Sequence, residues 1–463
     1  MDRTMIVESP THNSGHSDKQ YVRISPPLAF KNDKCQAGRV VACSFDDIVL
    51  MYDANESEPP QKDTYNITLG DNSYSVLSLA ILPLANGQSD GRVYLATPTD
   101  ASQRAKYHDM LAHIRKTQHI DICVHNDVES EDRRTGFGDV SFAPQTFPEL
   151  DWEELDITQT FMGHQFRAPI LIPGMTGGTE KGAEIARRLA KCAEHYGIPM
   201  GMGSQSLAIS DPEHRKAFQI KRHAPRLFLI GNIGSTQLVD PHGCERCLAA
   251  IDMIEADALA VHINVLQELI QVEGDRHFKG ILEAIGRVIE KLTIPLLIKE
   301  VGCGIDLYSA EQMRRVGVRY MDIGGRGGTS WGYIEGLRSD SVQTRTVSGI
   351  FRDWGIPTAY SLAAIHRRFG DLELVATGGI RDGQMIAKAI ALGANMVGVG
   401  LPMLKAALES ERGPFELLES LIRGLKISML CTGSRFLAQL KKTIVFGSPY
   451  QSELQRALKE GAS

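Results

Sequence analysis

Between His262 and Phe278 the chain sets His262, Asn264, Gln267, Glu268, Glu273 and Asp275 directly after the apolar run Asp257-Ala-Leu-Ala-Val261. That run reads as a buried parallel strand, so the polar side chains should emerge together at its C-terminal end, where an α/β barrel does its chemistry. Taken alone, the stretch also reads as a helix start with ordinary polar residues. A second group is Arg115-Lys-Thr-Gln-His119, in which a planar guanidinium fork and a point charge stand side by side. Such a pair can hold a phosphate group, although adjacent Arg and Lys are also common on solvated helix surfaces.

The third group is glycine-rich: Gly174-Met-Thr-Gly-Gly178, Gly201-Met-Gly-Ser-Gln-Ser206, Gly231-Asn-Ile-Gly234, Gly324-Gly-Arg-Gly-Gly-Thr-Ser330 and Thr377-Gly-Gly-Ile-Arg-Asp-Gly383. Glycine leaves backbone amides uncovered, so these turns let a flat ligand approach closely. The later ones, with Gly398-Val-Gly400, fall where barrels cradle a phosphate on loop amides and a helix N-terminus. Several such turns at one barrel end point to a phosphorylated cofactor with a broad planar ring, namely FMN. Lys299 ends the apolar run Leu296-Leu-Ile-Lys299. It would either face N1 and O2 of a flavin and stabilise the reduced anionic ring, or pair with a carboxylate at the barrel mouth.

These residues need a scaffold, and its pattern is regular. Eight apolar or Gly-punctuated runs occur at 168–175, 199–204, 227–234, 258–264, 295–302, 320–326, 373–379 and 396–401. Segments of helical spacing separate most of them, as at 181–196, 280–292 and 384–392. Strand and helix alternating eight times predicts an α/β TIM (β/α)8 barrel. The wide gap between the sixth and seventh runs predicts an insertion around 328–365, and the tail should add helices, notably at 415–424. Residues 1–105 read as an N-terminal extension, partly disordered or a small β-rich unit with β-prone runs at 40–45, 47–52 and 92–96, and 106–463 as the barrel domain.

The composition sets limits on function. Of 463 residues, 43% are hydrophobic and 23% charged, as in ordinary soluble domains, and a net charge of -6 argues against nucleic acid or an anionic membrane as main partner. No apolar run is long enough to span a bilayer, which predicts an intracellular, cytoplasmic protein. The eight scattered cysteines read as reduced thiols, and Cys244-Glu-Arg-Cys247 as helical neighbours, its metal-like spacing having no matching second pair.

Together, His262-x-Asn264-x-x-Gln267-Glu268 with Glu273-Gly-Asp275, Met175-Thr-Gly-Gly178, Gly203-Ser-Gln205, Asn232-Ile-Gly234, Lys299-Glu-Val-Gly302, Gly327-Gly-Thr-Ser-Trp331 and Gly378-Gly-Ile-Arg381 resemble the type 2 isopentenyl diphosphate isomerases. Arg115-Lys116-x-x-His119 resembles that family's N-terminal signature. The resemblance covers about residues 113–440 and leaves the first hundred aside. It implies an isomerase of isoprenoid biosynthesis that interconverts isopentenyl and dimethylallyl diphosphate with reduced FMN and Mg2+, NADPH serving to reduce the flavin. By the same resemblance Met175, Thr176, Gly177, Ser204, Asn232, Lys299, Thr329, Gly379, Ile380, Arg381, Gly400 and Leu401 hold FMN. Arg115, Lys116, His119, Ser204, Gln205, His262, Asn264 and Gln267 bind substrate, Glu268 ligates the metal, and Gln267 and Lys299 serve catalysis. It further implies a homo-oligomer, a tetramer or an octamer.

Two positions depart from the family pattern: Ser206 stands where Arg usually follows Gly-Ser-Gln, and Val272 where Pro usually precedes Glu-Gly-Asp. The first removes a cation expected near a diphosphate, and the second alters loop stiffness. A 2-hydroxy-acid oxidase would need a His base in the run that here reads Asp322-Ile-Gly-Gly-Arg326. A noncatalytic flavin-binding scaffold would need neither the His262–Glu268 cluster nor the Arg115-Lys116 pair.

Overall fold

The computed structural model describes the strand segments between residues 22 and 98, residue 112, and residues 115–446 apart from 176, 211 and 340. The expectation of disorder in the first twenty residues lies outside them. Six antiparallel strands, β1 (Val22–Asn32), β2 (Ala37–Cys43), β3 (Ile48–Asp53), β4 (Tyr65–Leu69), β5 (Leu77–Pro83) and β6 (Gly91–Pro98), close a barrel in the order β1-β2-β3-β6-β5-β4. Antiparallel pairing of β3 with β6 and of β1 with β4 joins two three-stranded meanders. Closure leaves no open sheet edge to template aggregation. The β-prone runs expected at 40–45, 47–52 and 92–96 fall on β2, β3 and β6.

The chain divides into two compact units: the one holding this small barrel includes Arg115, residues 268–274 and residues 335–349. The second is the larger α/β unit. Its lead-in carries β7 (Val140–Phe142), paired with β18 (Ile444–Phe446), and a hairpin of β8 (Gln159–Phe161) and β9 (His164–Phe166). Eight parallel strands follow: β10 (Ile170–Leu171), β11 (Met200–Gly201), β12 (Leu229–Gly234), β13 (Ala258–Ile263), β14 (Leu296–Glu300), β15 (Tyr320–Asp322), β16 (Glu373–Thr377) and β17 (Met396–Gly398). β10 pairs with β17, and a parallel bridge between Ile172 and Met200 joins the other edge, so the sheet closes on itself. All eight expected runs coincide with these strands.

Strands buried on both faces read as continuous apolar runs, and those of β14 (Leu-Leu-Ile) and β16 (Leu-Val-Ala) do so because helices cover the outside. The helix Glu180–Tyr196 shows how these covers are bounded: Thr179 accepts from Gly182 N at the start, and Gly197 takes a left-handed φ of 62° at the end. Helices Trp331–Arg338, Val342–Ile350 and Thr358–Arg368 occupy the connection from β15 to β16, where an insertion was expected. Helix Gly413–Cys431 contains the expected 415–424 segment. Cys244 and Cys247 lie one turn apart on the helix Gly243–Ile254, and burial pushes the Cys247 thiol up to about 12.

Inside the ring, Leu171, Ile230, Ala258, Ala260, Leu297, Val375 and Met396 form one core cluster, with Tyr320 packed against it. Phe161, Met162 and Phe166 of the β8–β9 hairpin belong to the same cluster and seal it near the strands' N-terminal ends. This apolar layer is the floor on which the polar layer above it stands.

Candidate active site

Side chains on a strand alternate faces, so two residues beyond each core position the next inward group appears. From Ile230, Ala260, Leu297, Tyr320, Val375 and Met396 this step leads to Asn232, His262, Lys299, Asp322, Thr377 and Gly398. The uppermost inward layer of the barrel, at the strands' C-terminal ends, is therefore polar apart from Gly398. Asn232 Nδ2 donates to the Met202 carbonyl at 2.9 Å, which turns its Oδ1 toward His262 Nδ1, also 2.9 Å away. An amide oxygen only accepts, so Nδ1 carries the ring proton in this network.

A cavity opens over this layer. Among the expected residues it is lined by His119, Met175, Lys299, Thr329, Gly379, Ile380, Arg381, Gly400 and Leu401. Its sequence-distant walls are the loops after β10, β14, β15, β16 and β17. A smaller pocket contains Asn264 and Gln267 and shares Glu300, Val301, Gly302 and Trp331 with the larger one. Asn264 Nδ2 donates to Gln267 Oε1 at 3.3 Å, and His119 meets the Trp331 ring edge-on at 5.4 Å between centroids. Thr176 lies outside the described residues.

One end of the cavity suits a phosphate. The helix Leu401–Glu409 starts at Gly400 with no side-chain cap, whereas Asp382 caps the neighbouring helix Gly383–Ala391 by accepting from Met385 N. The uncapped amides and the Gly378–Arg381 turn remain for an anion.

Other expected residues support the site rather than line it. Gly177 is packed so tightly that a Cβ there would lie 2.9 Å from Phe218. Lys116 Nζ donates to the Ser204 carbonyl at 3.0 Å and lies over the Phe218 ring. Ser206 Oγ donates to Gln237 Oε1 at 2.9 Å, so the Ser204 hydroxyl, also 2.9 Å from Ser206 Oγ, is the donor of that pair. A neutral hydroxyl chain thus stands where the resemblance led one to expect a cation.

Gln205, expected to contact substrate, sits beneath the site with its amide turned to backbone. It is fully buried, its Nε2 donates to the Ala250 carbonyl and its Oε1 accepts from Asn232 N, both at 2.8 Å. Both ends of its amide brace backbone, and through Asn232 it fixes the strand that orients His262.

Arg115 and Glu268 belong to the unit that holds the small barrel. There Arg115 is 3.4 Å from Glu273, and Arg338 reaches Glu273 at 3.1 Å while also pairing with Glu335. With its amide turned to satisfy both neighbours, Gln271 accepts from Arg115 at 2.7 Å and donates to Glu335 at 3.3 Å. Burial would lower the Arg338 pKa, but the carboxylates of Glu335 and Glu273 hold it above its ordinary value.

Glu300 was not singled out among the sequence candidates, although it adjoins Lys299. Its Oε2 accepts from the amides of Gly302 (2.6 Å), Cys303 (2.5 Å) and Gly304 (3.1 Å), which shapes the wall shared by the two pockets. Burial nevertheless pushes its carboxyl up to about 7, against the opposing pull of those amides and Lys299. An acid whose pKa rises on folding is held protonated by the native state, so stability should fall as pH rises from about 4.5 to about 7 and level off above. Glu300→Gln should remove on the order of 3 kcal/mol of that pH dependence. Thermal melting of both proteins at pH 5 and pH 7.5 checks it; parallel Tm profiles would contradict the assignment.

A closed (β/α)8 barrel with a Gly-lined anion end, and a buried Lys under a cavity at the C-terminal strand ends, defines a barrel enzyme for phosphate-bearing ligands. Residues 252–446 match the FMN-dependent dehydrogenase family. The isopentenyl-diphosphate delta-isomerase of a Nostoc species is 43% identical over 327 residues, 71% of this chain and 93% of that protein. That of Cronobacter sakazakii is 40% identical over 329 residues, 71% of this chain and 95% of its own length. The chain belongs to the isopentenyl-diphosphate delta-isomerase family. In fold it is similar to the flavin-binding domain of baker's yeast flavocytochrome b2, with TM-score 0.52 and 16% identity over 76% of this chain and 90% of that one. A flavocytochrome b2 variant with benzoylformate gives 0.54 and 18% over 73% and 85%. Among the described residues no helix is long and apolar enough to cross a membrane.

Proposed function

We propose that this chain interconverts isopentenyl diphosphate and dimethylallyl diphosphate by a 1,3-allylic proton shift, with reduced FMN and Mg2+, as a step of isoprenoid biosynthesis. The observation that carries the reading is the continuity of a Gly-walled cavity over Lys299 with a smaller pocket holding Asn264 and Gln267. The cavity fits FMN: Gly378, Gly379, Gly398 and Gly400 line it after β16 and β17, and the helix at Gly400 lacks a side-chain cap. Met175, Thr329, Gly379, Ile380, Arg381, Gly400 and Leu401 would hold it, over Lys299. When reduced and bound, FMN would supply the proton-transfer chemistry of the allylic shift.

The protein's own groups then have defined tasks. Lys299 balances negative charge at the cavity floor. Gln267 and Asn264 orient the substrate from the adjoining pocket, His119 and Trp331 exclude water at its edge, and His262, whose Nδ1 donates to Asn232, would when doubly protonated donate from Nε2 to an anionic group. Lys116 adds positive charge beside Ser204. Among the described residues no three or more His, Cys, Asp or Glu side chains gather as a metal site. Mg2+ would be held as it usually is, by one carboxylate, Glu268, with waters and the substrate's phosphate oxygens. NADPH as priming reductant, assembly as a tetramer or octamer, and a cytoplasmic location belong to the same reading.

Anaerobic incubation of the full chain with prereduced FMN, Mg2+ and isopentenyl diphosphate should yield the dimethylallyl isomer. Glu268→Gln should raise the Mg2+ needed for half-maximal rate by about tenfold, on the order of 1.4 kcal/mol. Full activity with oxidised flavin would sink the reading. So would bleaching of the oxidised flavin by a 2-hydroxy acid, the outcome expected of a dehydrogenase.

A further inference from the structure

We propose that Asp322 is a positioning residue, the buried counter-ion that holds the Lys299 ammonium at the cavity floor and thereby sets the charge presented to the ligand ring above it. In its second half this rests on the reading of the cavity as an FMN site. Lys299 and Asp322 are register partners on the adjacent parallel strands β14 and β15, and both follow core residues by two positions, so they share the inner face. They are 7% and 1% exposed. A carboxylate this deep is costly unless a cation compensates it.

The surroundings single out Lys299 as that cation. On the other flank of Asp322 the register partner is Val375, which is apolar. Asp322 Oδ1 accepts a long bond from Gly324 N at 3.3 Å, and Oδ2, beside the hydroxyl and amide of Thr377, has no well-formed bond. Burial raises the Asp322 pKa and Lys299 pulls it down. Lys299 is equally under-anchored, its Nζ making a 3.4 Å bond to the Glu300 carbonyl. Glu300 is the other nearby carboxyl, but its Oε2 is already engaged by three loop amides. The Lys–carboxylate pairing and the flavin contact, which the sequence leaves as alternatives for Lys299, are then two aspects of one arrangement.

Two measurements test this. In the flavin-free chain, Lys299→Met should force Asp322 to take up a proton, seen as a new protonated-carboxyl stretch in infrared difference spectra, and Lys299→Met with Asp322→Asn should lack it. No new band in the single variant, or a band that survives in the double variant, overturns the pairing. In the FMN-loaded chain, Asp322→Asn leaves Lys299 uncompensated. The ratio of reduced-FMN to oxidised-FMN affinity should then rise about tenfold, a potential about 30 mV more positive for a two-electron couple. An unchanged potential with FMN fully bound overturns the charge-setting role. If the wild-type chain takes up no FMN, the cofactor reading fails, while the infrared result still decides the pairing.

Discussion

Arg338→Met should destabilise the protein by about 3–5 kcal/mol, the cost of removing one partner from a buried ion pair and leaving the opposite charge behind. The Glu335 side chain is 0% exposed and the Arg338 side chain 4%, so Glu335 would lose this guanidinium where water cannot replace it. Glu273 would keep Arg115 at 3.4 Å but lose the closer guanidinium at 3.1 Å. Arg338→Met combined with Glu335→Leu should recover most of the loss, because an apolar replacement of both partners removes the desolvated charge as well as its counter-ion. Denaturant midpoints of the four proteins in the cycle measure this; a double variant as unstable as Arg338→Met would show that packing, not charge, dominates. The Glu273 carboxyl is held below its ordinary 4.5 chiefly by Arg338 and Arg115, which together outweigh its burial. A depressed carboxylate pKa contributes stability that is complete above about pH 4.5 and lost as pH falls below it, so the wild-type advantage over Arg338→Met should shrink in acid.

That cluster also shows where sequence reading stops. Arg115, Gln271, Glu273, Glu335 and Arg338 come from three separated segments, and no local spacing records that they meet. The barrel was legible because period-two burial and apolar runs are local signals: each of the eight runs became a strand. The glycines of the cofactor end were legible for a related reason, since Gly378 and Gly379, at φ 120° and 74°, occupy conformations that side chains rarely adopt. What spacing could not show is facing. Glu300 and Asp322 each adjoin a motif, yet which of them shares the inner face with Lys299 depends on the register between β14 and β15. For the same reason spacing could not show that Gln205 braces backbone, because a polar residue in a Gly-rich run can point at ligand or at backbone, and only the fold chooses.

Gly379→Ala should separate the cofactor end of the cavity from the rest of the fold. Gly379 adopts φ 74°, and a Cβ there would lie 2.4 Å from the Gly327 carbonyl and 2.3 Å from Thr135 Cγ2. The left-handed backbone alone costs an alanine roughly 1–2 kcal/mol. Overpacking against a neighbouring backbone adds about 1–3 kcal/mol. The strain has one direction of relief, because the Gly328 Cβ position is only 2.5 Å from Gly379 N: the loops after β15 and β16 are stacked backbone on backbone and must part. Thr329, Ile380 and Arg381 ride on those loops and line the cavity. FMN affinity should therefore fall by about tenfold to a hundredfold, the equivalent of about 1.4–2.8 kcal/mol appearing in the bound state. Gly349→Ala is the matched control, for a Cβ there meets nothing within 4 Å, and Gly349 lies in the helix Val342–Ile350, where alanine is favoured over glycine by about 1 kcal/mol. Flavin titration of both variants, with Tm recorded alongside, distinguishes a local effect on the cradle from general instability. If Gly379→Ala binds FMN as tightly as Gly349→Ala, the contact between these two loops does not shape the cofactor site.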